Sequence, residues 1–257
     1  MTAIIDQGFV SYEVNNQGIG TITFGHPMSN SLPSKLLRKL AETITELGQN
    51  TEVKVIVLQS DGEKAFCAGA SFDELISIDD FSTGKTFFSG FAQVINACRT
   101  CPKFIIGRVQ GKAVGGGVGV AASVDYCLAT TQADVKLSEL AVGIGPFVVG
   151  PAVERKIGLA AMSELAINAT EWRSADWAKR KGLFVEVFDS VEELDKEINR
   201  LSMQLSNSNP EAMSMLKAVF WKGTDDWSEL LMERAEMSGK LVLSDFTRNA
   251  INTFKKK

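Results

Sequence analysis

The run Phe104-Ile105-Ile106-Gly107-Arg108-Val109-Gln110-Gly111-Lys112-Ala113-Val114-Gly115-Gly116-Gly117-Val118-Gly119-Val120 decides how this chain is read. Phe104–Val109 is mostly apolar, as a buried strand should be. Gly111 and the triplet Gly115–Gly117 then break the pattern, and Val118–Ser123 continues as a helix of small residues suited to tight packing. A strand that passes through a glycine turn into a helix is the joint of an α/β fold. A similar joint lies upstream: Val53–Leu58 is almost wholly apolar, and Ala65–Ala70 continues it into the turn Phe66-Cys67-Ala68-Gly69-Ala70. Glycine at such places lets backbone N–H groups approach a ligand without side-chain interference. Two such turns can aim their N–H groups at one carbonyl oxygen and form an oxyanion hole from backbone alone.

Working outward, Ser11–Val14 and Gly18–Phe24 read as a hairpin about Asn15-Asn16-Gln17-Gly18. Gly25–Ser31 is a loop by composition. After Pro33, residues Leu36, Leu37, Leu40, Ile44 and Leu47 fall at helical spacing. A helix is expected from about Thr86 to Cys98, a short strand at Tyr126–Ala129, a helix over Ala175–Lys181 closed by Gly182 at C′, and a last strand at Leu183–Phe188. From Val191 the pattern is helical. The expected organisation is therefore an α/β core over residues 1–190 and a helical region over 191–257.

The 257 residues are 45% hydrophobic with a formal net charge of −4, enough for a full core and poorly suited to nucleic acid, which requires clustered positive charge. The apolar runs are too short for a membrane span and the first residues lack a secretory pattern, so a cytoplasmic location is expected. Cys98 and Cys101 form a lone C-x-x-C pair with no further ligands nearby; ordinary buried thiols are expected and no metal site.

The two glycine turns, together with Leu137-Ser138-Glu139-Leu140-Ala141-Val142-Gly143, Arg173-Ser174-Ala175-Asp176-Trp177-Ala178 leading to Gly182-Leu183-Phe184-Val185, and Ser244-Asp245-Phe246 before Phe254, resemble the crotonase (enoyl-CoA hydratase/isomerase) superfamily. The resemblance spans nearly the whole chain in order. It implies a spiral of repeated strand–strand–helix (ββα) units followed by a helical C-terminal region that builds trimers, often paired into hexamers. It also implies acyl-CoA thioester substrates, with coenzyme A entering as part of the substrate and no separate cofactor. By the same resemblance the thioester oxygen is held by the N–H groups of Ala70 and Gly116.

The resemblance further implies two glutamates in hydratases. One maps onto Glu139; the other maps onto Gly119, which carries no carboxylate. A single carboxylate can take a proton α to the thioester and return it at the γ-carbon, which is double-bond isomerisation. Glu139 would need a raised pKa, which an apolar pocket supplies. Where hydratases of the family often carry Pro-Gly-Ala-Gly, this chain has Pro146-Phe147-Val148-Val149-Gly150, which suits a drier pocket. An isomerase is favoured. A hydratase, a decarboxylase or C–C-cleaving relative, and a non-catalytic CoA-ester binder or scaffold stay open.

For the nucleotide half of CoA, Lys64 and Ala68 beside the first turn are candidates by family analogy, with Phe254 and Lys257 at the C-terminus. His26 reads as a turn residue in a polar loop. Asp125 reads as a brace, Glu74 as a reserve acid, and Asp73, Asp79 and Asp80 mainly as a solvated face. Phe81, Phe87, Phe88 and Phe91 form a stripe belonging to the core or to the pocket.

Overall fold

A computed structural model describes residues 7–255, without the side chains of Asn252, Phe254 and Lys255. Two sheets organise the chain. The larger has six strands in the order β1 (Phe9–Val14), β2 (Ile19–Gly25), β3 (Val55–Ser60), β5 (Phe104–Val109), β7 (Tyr126–Thr130) and β9 (Glu186–Phe188). Only β1 runs antiparallel to its neighbour; every later pair is parallel. The smaller sheet is β4 (Ala65–Cys67), β6 (Lys112–Val114) and β8 (Val135–Lys136), also parallel. From β3 onward consecutive strands thus alternate between sheets, and a helix follows each pair: this is the expected ββα spiral.

The reason lies in burial. The strands β3 and β5 are apolar nearly throughout and are covered on both faces, as parallel strands must be. One face meets α1 (Ser34–Gln49), whose Leu36, Leu37, Leu40, Ile44 and Leu47 are all buried as their spacing predicts. The other face, through Val55, Val57, Ile106 and Leu128, meets Leu194 and Ile198 of a later helix.

The remaining helices are α2 (Phe72–Ser77), α3 (Phe81–Thr100), α4 (Gly116–Ser123), α5 (Gly150–Ile167), α6 (Ala175–Lys181), α7 (Val191–Ser206), α8 (Pro210–Phe220), α9 (Trp227–Leu241) and α10 (Asp245–Lys255). Among them α9 lies along α3, with a close crossing at two glycines: a Cβ on Gly84 would lie 2.9 Å from the Gly239 carbonyl oxygen, and one on Gly239 2.6 Å from the Lys85 nitrogen. The helix α10 packs on α2.

Several expectations are corrected. Ala65–Ala70 does not prolong β3: its first three residues pair in the other sheet, because the turn at Ser60–Lys64 redirects the chain. The helix α3 begins at Phe81, five positions before Thr86, because Asp80 caps it by accepting from the Thr83 N–H at 2.9 Å. The last strand is shorter than Leu183–Phe188. The helix α5 had no periodic signature; its apolar residues include the exposed Leu159 and Ile167, and Gly158 (φ 75°, ψ 160°) kinks it.

Asp125 is the brace expected of it. Its Oδ2 accepts from the Ile105 N–H and from Lys217 Nζ, both at 2.8 Å, and its Oδ1 from Trp221 Nε1 at 2.8 Å. The Asp125 and Lys217 side chains are 6% and 3% exposed, so removing one partner leaves the other charge buried and alone. Asp125→Ala is expected to destabilise the fold by about 3–5 kcal/mol, lowering the thermal midpoint on the order of 10 °C. A melt within ~2 °C of the parent would rule this role out.

Candidate active site

The two glycine turns meet. Gly69 has φ +86°, and a Cβ on it would lie 2.7 Å from the Val114 carbonyl oxygen and 3.3 Å from the Gly116 nitrogen. Only a glycine with left-handed freedom permits this approach. On the other side, a Cβ on Gly117 would lie 2.4 Å from the Cys67 carbonyl oxygen. Among the hydrogen bonds of the described residues, the Ala70 and Gly116 N–H groups donate to no protein acceptor. The Gly116 N–H belongs to the first turn of α4, where such donors are orphaned.

Both turns line a cavity of about 60 Å³ that also contains Ala68, Ser138, Glu139, Phe88 and Phe91. Glu139 reaches it because its backbone is pinned: the Glu139 carbonyl accepts from the Val142 N–H at 3.2 Å and the Ile144 N–H at 2.9 Å, around the 3-10 turn Leu140–Val142. Its carboxylate rests on the second glycine turn, where a Cβ on Gly115 (φ +53°) would lie 2.9 Å from Glu139 Oε1.

Although Glu139 as a residue is only part-buried, its Oε2 is shut from solvent and has no hydrogen-bond partner. Burial pushes its carboxyl up to about 7, against a small opposing pull from its own backbone. A carboxyl held there exchanges protons readily at neutral pH. It is the one acid in the cavity lining.

Position 119 is closed rather than merely empty of a carboxylate. A Cβ on Gly119 would lie 2.4 Å from Val149 Cγ1 and 2.6 Å from Val149 Cβ. Val149 and Phe147 both line the cavity, and Phe147 folds its ring over Gly145. The apolar segment Phe147–Val149 therefore stands where small residues would leave room for water.

A wider cleft of about 450 Å³ opens beside the cavity and shares Ala68, Ala70 and Phe72 with it. Asp73 lies in this cleft with Met28 and Ser29. Lys64 is exposed and lines neither space. The Phe254 side chain and Lys257 lie outside the described residues. Of the aromatic stripe, Phe88 and Phe91 line the cavity, Phe87 is core, and Phe81 is exposed.

His26 is the turn residue expected of it, here buried: its Nδ1 accepts from the Met28 N–H at 3.2 Å and lies 3.1 Å from Ser31 Oγ. The loop is tied down by Asn30 (φ 57°), whose Nδ2 donates to the Asp61 and Ala65 carbonyls at 2.7 and 2.9 Å. Glu74 is not a spare acid: its carboxylate accepts from the Ser34 N–H at 2.7 Å and Ser34 Oγ at 2.5 Å, capping the start of α1. The four cysteines are free and buried. Among the described residues no group of His, Cys, Asp or Glu side chains is arranged to hold a metal, and no helix is long and apolar enough to cross a membrane.

Residues 14–257 match the family described as enoyl-CoA hydratase/isomerase. The chain belongs to that family. Within this enoyl-CoA hydratase/isomerase family it is similar to the short-chain-enoyl-CoA hydratase of Clostridium acetobutylicum, 26% identical over 239 residues covering 92% of this chain and 90% of that protein. It is also similar to the peroxisomal Delta(3,5)-Delta(2,4)-dienoyl-CoA isomerase of Arabidopsis thaliana, 26% identical over 239 residues covering 87% and 84%. Among solved structures, the enoyl-CoA hydratase from Bacillus halodurans has a TM-score of 0.87 at 21% identity, covering 95% of this chain and 99% of that one, a likeness of fold.

Proposed function

We propose that the protein is an enoyl-CoA isomerase working through a thioester enolate, with Glu139 as its single acid/base. The Ala70 and Gly116 N–H groups hold the thioester oxygen, where negative charge develops as the enolate forms. Each such donor is worth about 3–4 kcal/mol in a dry site. The Glu139 carboxylate removes the α-proton of a 3-enoyl-CoA; the electron pair moves through the dienolate, and the protonated Glu139 returns a proton at the γ-carbon to give the 2-enoyl-CoA. No water is added or lost. Coenzyme A is part of the substrate, and the cleft beside Ala68 is the space proposed for it.

The observation that carries this reading is the overlap between Gly119 and Val149. It leaves neither a second carboxylate nor room for one, and hydration is easier with two carboxylates sharing a water. The test is incubation with 3-enoyl- and 2-enoyl-CoA in D₂O, followed by mass and absorbance. Interconversion of the two with deuterium uptake and without 3-hydroxyacyl-CoA is expected. Rapid formation of 3-hydroxyacyl-CoA would overturn the isomerase reading, and absence of both products and deuterium would overturn the enolate.

A further inference from the structure

A second cavity, of about 230 Å³, borders the first and is open at the surface, with Ile78, Val242 and Ile251 and the exposed Asp79 and Arg248 in its walls. Leu75 is the residue common to the two. It is buried, on α2, and several contacts hold that short helix in place. Ser71 caps it by accepting from the Glu74 N–H, Glu74 is bonded to Ser34 at the start of α1, and α10 packs against its outer side. Leu75 therefore stands between the two cavities, on a helix held by these contacts.

Ser238 of α9 also lines the first cavity, and the glycine crossing of Gly84 and Gly239 brings α9 close to α3. This cavity measures about 60 Å³, a few times the ~10–15 Å³ that admits a single water, which suits a short acyl group better than a long one.

We infer that the site selects short acyl chains and that Leu75 is the residue that sets the limit, by separating the acyl cavity from the second. This rests on the thioester reading of Ala70, Gly116 and Glu139. The selection is steric: a longer chain must displace Leu75, whereas one buried methylene placed or misplaced changes affinity by about 10-fold or more.

The test is calorimetric titration of the purified protein with butyryl-, octanoyl- and hexadecanoyl-CoA, none of which can isomerise, alongside Leu75→Ala and the milder Leu75→Val. The parent is expected to bind butyryl-CoA at least about 10-fold more tightly than octanoyl-CoA. Leu75→Ala joins the two cavities and is expected to tighten octanoyl-CoA by about 10-fold while leaving butyryl-CoA within about 3-fold. Leu75→Val should move the same way by less, and carries the comparison should the alanine variant not fold. Equal affinity for all three chains in the parent, or an unchanged profile in folded variants, would overturn the chain-length inference alone. Binding of none of them would overturn the thioester reading, and this inference with it.

Discussion

Replacing Glu139 by glutamine is expected to slow conversion of a 3-enoyl-CoA by about 10²–10⁴-fold and to raise stability above neutral pH. The two effects share one cause. The Glu139 carboxyl has an ordinary value of 4.5 and is held at about 7 by burial, so the folded protein binds this proton more tightly than the unfolded chain does. Stability from that proton is complete below about pH 4.5, falls as pH rises, and is gone above about pH 7. Ionising the buried group then costs about 3–4 kcal/mol. Glutamine keeps the shape and has no proton to lose, so its melting temperature should exceed the parent's at pH 8 by several degrees and converge with it near pH 4.5. In the parent, kcat/KM should rise with pH through an apparent pKa near 7, because the carboxylate is the base. An active glutamine variant would remove Glu139 from the chemistry; an equal pH dependence of stability in both proteins would remove it as the buried proton.

Gly119→Glu is expected to cost at least ~3 kcal/mol, through overpacking and an unpartnered buried polar group, because its Cβ would overlap the Val149 side chain. Val149→Ala would not relieve it, since Val149 Cβ itself is 2.6 Å from the new atom. The pair Gly119→Glu with Val149→Gly removes the overlap, and glycine is tolerated at this position, the N-cap of α5. The double variant should regain the overpacking part of that cost but not the part from the buried carboxylate, so it melts between the single variant and the parent. It should hydrate a 2-enoyl-CoA about 10-fold faster or more, as a second acid/base is supplied. Thermal melts and 3-hydroxyacyl-CoA formation check the two parts separately. A folded double variant that adds no water would mean that the absent carboxylate is not what withholds hydration.

The glycine turns could be read in the sequence because their geometry admits little else: Gly69 and Gly115 both have positive φ and both face close neighbours. The α1 stripe and the strands β3 and β5 were legible for a similar reason, since one periodicity fits each. What could not be read are contacts between distant segments. Nothing in residues 116–120 announces that Val149 fills the space beside Gly119, and nothing around Glu74 announces Ser34. The loop holding His26 looks polar in sequence because its polar groups bond one another once buried. The helix α5 escaped because its large apolar residues do not keep to one face: Leu159 and Ile167 are exposed, and Gly158 kinks the helix between them and the buried Val153.

The strand order has a consequence for how the protein assembles. Within both sheets the strands succeed one another in the order in which they are made, so no strand is inserted between two already paired. Apart from the β1–β2 hairpin, every pairing closes a loop of tens of residues, which makes folding slow relative to a bundle of local contacts. Growth is therefore by accretion: each coil docks on the one before and leaves its own unpaired edge for the next. A chain stopped between coils ends on such an edge, which is a template for pairing with other chains, so a nascent or truncated form is at its most adhesive until β9 and the helices after it arrive.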